Sequence, residues 1–537
     1  MVAKYSAADH VWIGEQRPGI LNPAANLGQI FCNLLSHSPS RVIQINADTD
    51  YHMTCAEMRL RVVRIALNLK KLGLQKGDHV TLACANTDNT VPVFVACLTN
   101  GMPVNPLAPV FNKSDFAYML KQTQPKVVFC DEDNRSVVEA AVQEVFKISP
   151  KIFVLGQAEN EEESVDFLLQ PIEGELDFVP EYFGNSVELL AMVLCSSGTT
   201  GLPKGVCLSH AHLIEWEVFS NELNAGPIFS FSALFWATSL LGALTSLYCL
   251  RPRVITAQLF DEKLLVSIIE KYRVHDVFTP PCYLSALINS PYFEQADFRS
   301  VKRWTLSGSM VSESIRVKLE KRLSNGCAQS VYGTSEIGFI TKAYGPYKSD
   351  SVGQMVSNIV AKIVDEDGNR LGPCKVGEMR FRYKHTFLGY FNNPLATREA
   401  FDEDGFFKSG DVGYFDEDGF LYVVDRIKDV IKYCNYQISP SELEVAIQSI
   451  EGVLKVCVVG VPLLDESSDL PTAVVVKKSD SDLTEDRIMA IIDGQVSDYK
   501  RLRGGVFFVN QLPMSASGKV LRRKVKEALQ NLNTVAT

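Results

Sequence analysis

The sequence lacks the cysteine pattern of a metal or disulfide scaffold: none of its 13 cysteines forms a C-x-x-C pair. Dispersed cysteines of this kind indicate reduced thiols inside a cell. An excess of basic residues is also absent, because the net charge of the 537-residue chain is -10. A broad nucleic-acid footprint would be basic, so this class of partner is not expected.

Targeting signals are equally scarce. Met1–Gly19 has no apolar core of the signal-peptide type, and the final residues, Val535-Ala536-Thr537, are not the peroxisomal S-K-L. We expect the cytoplasm as the default location, with import into peroxisomes by another route as the alternative. A monomer or weak homo-oligomer is expected.

Charge is missing altogether from Gly226 to Leu250. A run of this length can span a bilayer. However, Pro227 and Gly242 interrupt it, and several serines and threonines lie within it. We therefore predict a buried segment that lines a pocket and no membrane span.

Helical and strand patterns alternate along most of the chain. Cys55–Leu72 is typical of a helix, since Thr54 and Glu57 have the spacing of a capping box and Gly73 follows the last turn. Short apolar runs predict buried strands at His79–Cys84, Val127–Cys130, Ile152–Leu155, Leu189–Leu194 and Val254–Thr256. This alternation predicts an α/β fold with largely parallel sheets.

The residue composition changes towards the C-terminus, where glycine and aspartate become frequent. The segment DEDG occurs at Asp402–Gly405 and again at Asp416–Gly419, which indicates turns. After the charged segment that starts at Asp425, a helix is predicted from Pro440 to Ile450 with Ser439 as its cap. We place a domain boundary here, with residues 1–425 as the first domain and 426–537 as the second.

The strongest local motif follows the apolar run that ends at Leu194. Glycines in such a loop let backbone N–H groups converge on an anion, hydroxyls add donors, and a lysine adds a positive charge, which suits the phosphates of a nucleotide. It is not a Walker A loop, because Pro203 precedes the lysine and Gly205 follows it. The candidate phosphate-binding residues are Ser196, Ser197, Gly198, Thr199, Thr200, Gly201 and Lys204.

Further motifs follow this loop in a fixed order: Tyr332-Gly333-Thr334-Ser335-Glu336, Lys408-Ser409-Gly410-Asp411, Asp425-Arg426-Ile427-Lys428 and Ser517-Gly518-Lys519. Together with the loop they resemble the acyl-adenylate-forming superfamily, and in particular its acyl-CoA synthetase, 4-coumarate–CoA ligase and beetle luciferase branch. The resemblance spans most of the chain. It implies a large N-terminal α/β domain of several subdomains with mixed sheets, and a small mobile C-terminal α+β domain with its hinge near Lys428.

The resemblance also implies a role for each motif residue. The flat ring of Tyr332 would stack on adenine, and the carboxylate of Glu336 would share Mg²⁺ with phosphates. Lys519 would stabilise charge on the reacting carboxylate and α-phosphate, where one preorganised donor is typically worth on the order of 10² to 10³ in rate. The remaining implied contacts are Ser335 with the α-phosphate, Asp411 and Arg426 with the ribose, and Lys432 and Gln437 near the adenylate.

Two segments depart from the pattern of the ligases. Cys434-Asn435 stands where they carry Lys-Gly beside the coenzyme A thiol, so thioesterification is the half-reaction that this change calls into question. The acyl-pocket segment has no histidine after its phenylalanine, which argues against phenylpropanoids and luciferin. The candidate pocket residues are Trp236, Ala237, Gly308, Ser309 and Met310, and a medium- or long-chain fatty acid is the expected substrate.

The sequence thus predicts an AMP-forming acyl-CoA synthetase that uses ATP, Mg²⁺ and coenzyme A. Two alternatives stay open: an oxidative enzyme of the luciferase type, and a degenerate protein that binds a nucleotide or acyl-adenylate without thioesterification. No protein nucleophile is needed for adenylation, and we assign structural roles to His210 and His212, since no partner for catalysis accompanies them.

Overall fold

The computed structural model of the protein describes residues 3–17, 22, 25–196, 204–216, 226–308, 313–342, 348–426, 428–433, 436–462, 469–479, 481–496, 498–514 and 519–535. Helices and strands alternate through most of this length, as predicted. The helices are α1 (Leu27–His37), α2 (Cys55–Lys71), α3 (Thr90–Thr99), α4 (Lys113–Thr123), α5 (Arg135–Val145), α6 (Val165–Leu168), α7 (His210–Glu215), α8 (Ala237–Cys249), α9 (Glu262–Tyr272), α10 (Pro281–Ile288), α11 (Glu313–Glu320), α12 (Pro394–Glu399), α13 (Pro440–Gln448), α14 (Glu485–Asp493) and α15 (Arg522–Val535).

The strands fall into a longer N-terminal series and a short C-terminal series. The first series is β1 (Lys4–Ser6), β2 (Val11–Ile13), β3 (Val42–Asn46), β4 (Tyr51–Thr54), β5 (Val80–Ala83), β6 (Val104–Pro106), β7 (Val127–Cys130), β8 (Lys151–Val154), β9 (Leu190–Ser196), β10 (Lys204–Ser209), β11 (Ile228–Ser230), β12 (Arg253–Ile255), β13 (Asp276–Thr279), β14 (Arg303–Leu306), β15 (Cys327–Ser330), β16 (Gly333–Thr334), β17 (Gly338–Phe339), β18 (Thr341–Lys342), β19 (Gln354–Met355), β20 (Ile359–Val364), β21 (Arg370–Leu371), β22 (Gly377–Tyr383), β23 (Gly389–Tyr390), β24 (Phe407–Phe415) and β25 (Leu421–Arg426). The second series is β26 (Ile431–Tyr433), β27 (Tyr436–Ile438), β28 (Val453–Pro462), β29 (Asp469–Lys477) and β30 (Val506–Phe508).

Three large sheets form the N-terminal part. Sheet 1 has the order β23-β10-β9-β6-β5-β7-β8, and sheet 2 has the order β15-β14-β13-β11-β12-β3-β4. Both are parallel over most of their width, and antiparallel pairs occur only towards an edge, at β23-β10-β9 in sheet 1 and at β3-β4 in sheet 2. Their central strands, such as β5 and β7, are buried at every position, as strands covered on both faces should be.

Sheet 3, with the order β1-β2-β20-β22-β24-β25, is antiparallel throughout. The sheets of the chain are therefore mixed, as the resemblance implies, and the largely parallel arrangement is that of sheets 1 and 2. In sheet 3, short turns join β1 to β2 and β24 to β25, and such turns cannot hold a crossover helix. Both predicted DEDG turns occur there, and Gly405 and Gly419 adopt the left-handed φ values of 76° and 77° that such turns require.

The predicted helix after Thr54 is confirmed as α2. Thr54 accepts a hydrogen bond from the Glu57 backbone while the Glu57 carboxylate accepts one from the Thr54 backbone, which completes the capping box. Gly73 follows the helix at φ 90°, the left-handed conformation that ends many helices. The local pattern thus determines both ends of this helix.

The uncharged run divides into β11, a loop and α8. Helix α8 has 13 residues, whereas a span needs about 20. Within the residues that the structure describes, no helix is both long and apolar enough to cross a membrane. The run lies in the protein interior, where Leu240, Leu241, Leu244 and Leu247 of α8 are buried.

The C-terminal part builds its own core. Strands β28, β29 and β30 form a sheet, and α13 and α14 pack beside it around Leu443, Ile447 and Ile488. Helix α13 begins at Pro440 with Ser439 as its N-cap, as predicted. The large N-terminal and small C-terminal α/β arrangement expected from the sequence is confirmed.

Candidate functional site

The predicted phosphate loop joins two paired strands. β9 and β10 are antiparallel neighbours, and Ser196 pairs with Lys204 across them. Gly205 is needed here, because a Cβ atom would lie 2.6 Å from a methyl group of Val193. The side chain of Ser196, together with Ser197, Gly198, Thr199, Thr200 and Gly201, lies outside the described residues.

Lys204 stands at the end of this loop, and its ammonium lies over the ring of Tyr390, 4.8 Å from the centroid. Tyr390 reaches this position because β23 pairs with β10, so that Val206 and Tyr390 are partners. The cation of the phosphate loop is therefore held beside an aromatic face of the neighbouring strand.

Tyr390 also contacts the predicted metal ligand. Its hydroxyl donates a hydrogen bond of 2.8 Å to Glu336 Oε1. Glu336 occupies the turn between β16 and β17 and is only 8% exposed. Burial raises the pKa of the Glu336 carboxyl, while the hydrogen bond from Tyr390 and the charges of Arg426 and Lys204 lower it. Ser335 lies half-buried in the same turn.

Asp411, the carboxylate predicted to bind the ribose, lies in β24 of sheet 3. Asp411 of β24 pairs in register with Arg426 of β25, and Arg426 Nε lies 3.3 Å from Asp411 Oδ1. The Tyr332 hydroxyl donates a hydrogen bond of 2.6 Å to Asp411 Oδ2. Burial raises the pKa of the Asp411 carboxyl, and Arg426 and this hydrogen bond lower it.

Lys519 approaches this cluster from the C-terminal part of the chain. Its side chain keeps a water-accessible surface, yet the surrounding protein lowers the pKa of its ammonium; Arg426 lowers it further and Asp411 opposes the change. The predicted catalytic lysine is thus within electrostatic reach of both predicted ribose contacts.

The segment around the predicted hinge links the two parts. Asp425 Oδ2 accepts hydrogen bonds from the Ser439 hydroxyl, at 2.7 Å, and from the Ser441 N–H, at 2.9 Å. Lys428 follows within this connection. Lys432 and Gln437 face each other across the β26–β27 hairpin, although their side chains, and all of Cys434 and Asn435, lie outside the described residues.

The predicted acyl-pocket residues lie at the carboxyl edge of sheet 2. Trp236 caps the start of α8 after β11, Ala237 opens the helix, and Gly308 follows β14 with φ 98°. Residues that follow neighbouring parallel strands meet at this edge, where α/β sheets bind ligands. Ser309 and Met310 lie outside the described residues.

A small apolar cavity lies between helix α8 and the β16–β17 hairpin. Its volume is about 10 Å³, and it is lined by Trp216, Leu241, Ile337, Phe339, Val356 and Tyr383. Sequence reasoning identified neither Trp216 nor Tyr390 as a site residue. No local motif marks them, because strand pairing and helix packing bring them to the site.

Glu336 is the carboxylate best placed for a divalent cation. Among the described residues, no group of three or more His, Cys, Asp or Glu side chains could hold a metal by itself. A Mg²⁺ ion bound by Glu336 would need oxygens from another source, and nucleotide phosphates are suitable because Mg²⁺ usually combines one or two carboxylates with phosphates and water. The donor set therefore fits a metal that arrives with a nucleotide.

Comparison with known proteins identifies the family. The model of the AMP-binding enzymes matches residues 35–391, and that of the AMP-binding enzyme C-terminal domain matches residues 442–519. The chain belongs to the AMP-binding family of adenylate-forming enzymes, which includes acid–CoA ligases and luciferases. Ligases of this family use ATP and coenzyme A, and the fold implies ATP binding.

Two relatives illustrate the family's range. The chain is 30% identical to 4-coumarate–CoA ligase 1 of Petroselinum crispum over 505 residues, which cover 90% of each chain. It is also 30% identical to luciferin 4-monooxygenase of Photinus pyralis over 508 residues, 91% of this chain and 92% of the relative. A similar fold occurs in ATP-bound MatB from Rhodopseudomonas palustris, with a TM-score of 0.83, 23% identity, and coverage of 94% of this chain and 99% of MatB.

Proposed function

We propose that the protein is an ATP-dependent acid–CoA ligase that converts a fatty acid, of medium or long chain, to its acyl-adenylate and then to its acyl-CoA. The observation that supports this proposal best is that Lys519, from the C-terminal part of the chain, lies within electrostatic reach of the Asp411–Arg426 pair. This cluster joins the two parts of the chain where a ribose and an α-phosphate would lie.

In the first half-reaction, a carboxylate oxygen of the acid attacks the α-phosphorus of ATP, and pyrophosphate leaves. Asp411, held by Arg426 and Tyr332, would accept hydrogen bonds from the ribose hydroxyls. Lys204 would bind the outgoing phosphates, and Lys519 would neutralise charge at the reacting oxygens. A bound Mg²⁺ supplies Lewis-acid stabilisation of the phosphates, and Glu336 is the residue that would hold it.

In the second half-reaction, the coenzyme A thiolate attacks the carbonyl carbon of the mixed anhydride, and AMP leaves. We propose that the boundary between residues 425 and 426 and the hinge near Lys428 let the C-terminal domain rotate between the two steps. Conversion to a fatty acyl thioester requires no protein nucleophile, in agreement with the structural role assigned to the histidines. His210 and His212 are fully buried, and each ring binds backbone: His210 Nδ1 accepts the Leu27 N–H, and His212 Nδ1 donates to the His385 carbonyl.

The apolar lining of the cavity supports an aliphatic acid. None of its six lining residues is charged, and the hydroxyl of Tyr383 is already engaged with the Glu215 carbonyl. Because the volume of the cavity is about 10 Å³, this lining would contact only the end of an alkyl tail.

The experiment that tests the proposal measures pyrophosphate release and product mass across a panel of carboxylic acids, with and without coenzyme A. Release of pyrophosphate with a fatty acid, and a fatty acyl-CoA product, are the expected results. Absence of release with every acid would overturn the proposal. The Lys519→Ala variant serves as the blank for adenylation.

A second candidate is adenylate formation without efficient thioesterification, which the Cys434-Asn435 segment favours. It predicts pyrophosphate release that coenzyme A does not accelerate, together with an adenylate that stays bound. In that case the double change Cys434→Lys and Asn435→Gly should restore coenzyme A dependence. Light emission from added luciferin would instead favour the luciferase-type alternative.

A further inference from the structure

Arg522 is the first residue of α15 and lies three positions after Lys519. Its guanidinium forms a bidentate ion pair with Glu444 of α13, in which Nη1 lies 2.7 Å from Oε1 and Nη2 lies 2.6 Å from Oε2. Nη1 also donates a hydrogen bond of 2.8 Å to the Val458 carbonyl of β28. The start of the last helix is therefore fixed to two other elements of the C-terminal part, in the geometry that makes such pairs strong and directional.

The same guanidinium reaches the connection between the two parts of the chain. Its Nε atom lies 3.6 Å from Asp429 Oδ2. The Asp429 N–H in turn donates a hydrogen bond of 3.0 Å to the carbonyl of Arg426. Arg522 thus lies beside the turn that follows Arg426 and contains Lys428, the predicted hinge residue.

The chain between Arg522 and Lys519 is short and hydrogen-bonded. Val520 and Leu521 are the two residues that separate them. The Leu521 N–H donates a hydrogen bond of 2.8 Å to the Pro513 carbonyl. A connection of two residues has little freedom to absorb a displacement, so a shift of the Arg522 backbone would be passed on to Lys519.

We infer that Arg522 is a positioning residue for Lys519: its ion pair with Glu444 determines where the lysine ammonium lies relative to the predicted ribose contacts. This inference rests on the proposed function and deepens it. Arg522 touches neither substrate nor nucleotide and acts on adenylation through Lys519. Its importance should therefore depend on the presence of the lysine ammonium, which a general role in folding would not.

The first test measures pyrophosphate release at saturating ATP with the fatty acid that gives the highest rate. Arg522→Lys keeps the positive charge but loses the planar fork that binds both oxygens of Glu444. We expect its rate to fall about 10-fold or more, because a displacement of about 1 Å at a reacting centre can cost about 10²-fold. Glu444→Gln removes the charge of the other partner and should lower the rate in the same direction.

A double variant distinguishes positioning from a structural role. In a Lys519→Ala background, Arg522→Lys should cause no further loss of rate, because the effects of residues that act as a unit are not additive. The matched control is Arg523→Lys, the same substitution at the next position of α15, where the side chain is 74% exposed and pairs with Glu527. It should leave the rate unchanged. A loss by the same factor in both backgrounds would overturn the inference and leave the ligase proposal intact.

Hydrogen exchange supplies a readout that does not depend on turnover. The Leu521 amide should exchange faster in Arg522→Lys than in the unmodified protein, and Arg523→Lys should leave its exchange unchanged. Equal exchange in all three proteins would show that Arg522 does not fix this segment and would overturn the inference. If the unmodified protein releases no pyrophosphate with any acid, the proposed function fails whatever the exchange shows.

Discussion

The hydroxyl of Tyr390 donates a hydrogen bond of 2.8 Å to Glu336, and the face of the same ring carries the Lys204 ammonium at 4.8 Å. One aromatic side chain thus contacts the predicted metal ligand through its edge and the predicted phosphate ligand through its face. Its hydroxyl engages Oε1 of the carboxylate. Tyr390 therefore holds two oppositely charged groups apart and fixes the orientation of both.

Removal of the Tyr390 hydroxyl should weaken binding of magnesium–ATP. Tyr390→Phe keeps the ring for Lys204 but loses a hydrogen bond to a charged group, which is worth about 1.5–3 kcal/mol. We expect the Mg²⁺ concentration needed for half-maximal ATP binding to rise roughly tenfold or more. Calorimetric titration of ATP at a series of Mg²⁺ concentrations measures this change without turnover.

The control for this variant is Tyr422→Phe, whose hydroxyl lies 3.4 Å from Asp416 Oδ2 on another part of sheet 3. It removes a tyrosine–carboxylate contact that does not involve Glu336. Equal Mg²⁺ dependence in Tyr390→Phe and the unmodified protein would contradict the positioning role.

Loss of the Lys519 ammonium should abolish most of the adenylation rate. Lys519→Ala removes one preorganised charge and should lower the rate of pyrophosphate release on the order of 10²- to 10³-fold. Thermal unfolding should stay close to that of the unmodified protein, because the side chain is exposed. Near-normal pyrophosphate release by this variant would falsify the assigned role.

The adenylation rate should also fall at alkaline pH. The pKa of Lys519 is lowered from 10.5, chiefly because the surrounding protein displaces part of the water around the ammonium and then because of the charge of Arg426, so its positive charge is present at lower pH and is lost before pH 10.5 is reached. Pyrophosphate release measured against pH should show this descending limb. Lys519→Arg should move the limb to higher pH, because a guanidinium stays charged; a limb at the same pH in both proteins would assign it to another group.

Two buried histidines should make the protein sensitive to acid. Burial lowers the pKa of His210 to about 3 and that of His212 to about 4, from 6.5. The unfolded chain therefore binds more protons as pH falls below 6.5, and stability that is fully present above this value is lost towards the folded pKa values. We expect a loss of roughly 1 kcal/mol per pH unit for each histidine.

Denaturant unfolding across this pH range checks the expectation. His210→Asn keeps an acceptor for the Leu27 N–H, which His210 Nδ1 accepts at 3.0 Å, but does not titrate, so its stability should fall less steeply with acid. The exposed His37 provides a matched His→Asn control. Parallel slopes for His210→Asn and the unmodified protein would rule out the linkage.

The sequence predicted elements well where local pattern decides them. The strand Val127–Cys130 has the predicted ends, and α2 has its predicted cap. Strand order could not be predicted in this way, because β3 and β12, which are far apart in the chain, are neighbours in sheet 2. Non-local hydrogen bonds of this kind leave no mark on either segment alone.

The same distinction between local motifs and non-local contacts applies to the residues of the site. Tyr332, Glu336, Asp411 and Lys519 lie in short motifs whose residue types already indicate nucleotide chemistry, and the structure brings Tyr332 and Lys519 to Asp411. Tyr390 and Trp216 have no such context. Tyr390 acquires its contacts from the pairing of β23 with β10, and Trp216 packs against Gly338 of the hairpin, more than a hundred residues away.

The register of β24 and β25 places the two predicted ribose contacts beside the predicted domain boundary. Asp411 and Arg426 are directly paired, and Arg426 is the last residue of the strand before the chain leaves for the C-terminal part. A ribose that binds the Asp411 carboxylate would change the electrostatic interaction between Asp411 and Arg426, which lies next to the predicted hinge. If Asp411 binds the ribose as proposed, the same pair of charges would respond both to nucleotide binding and to rotation about the proposed hinge.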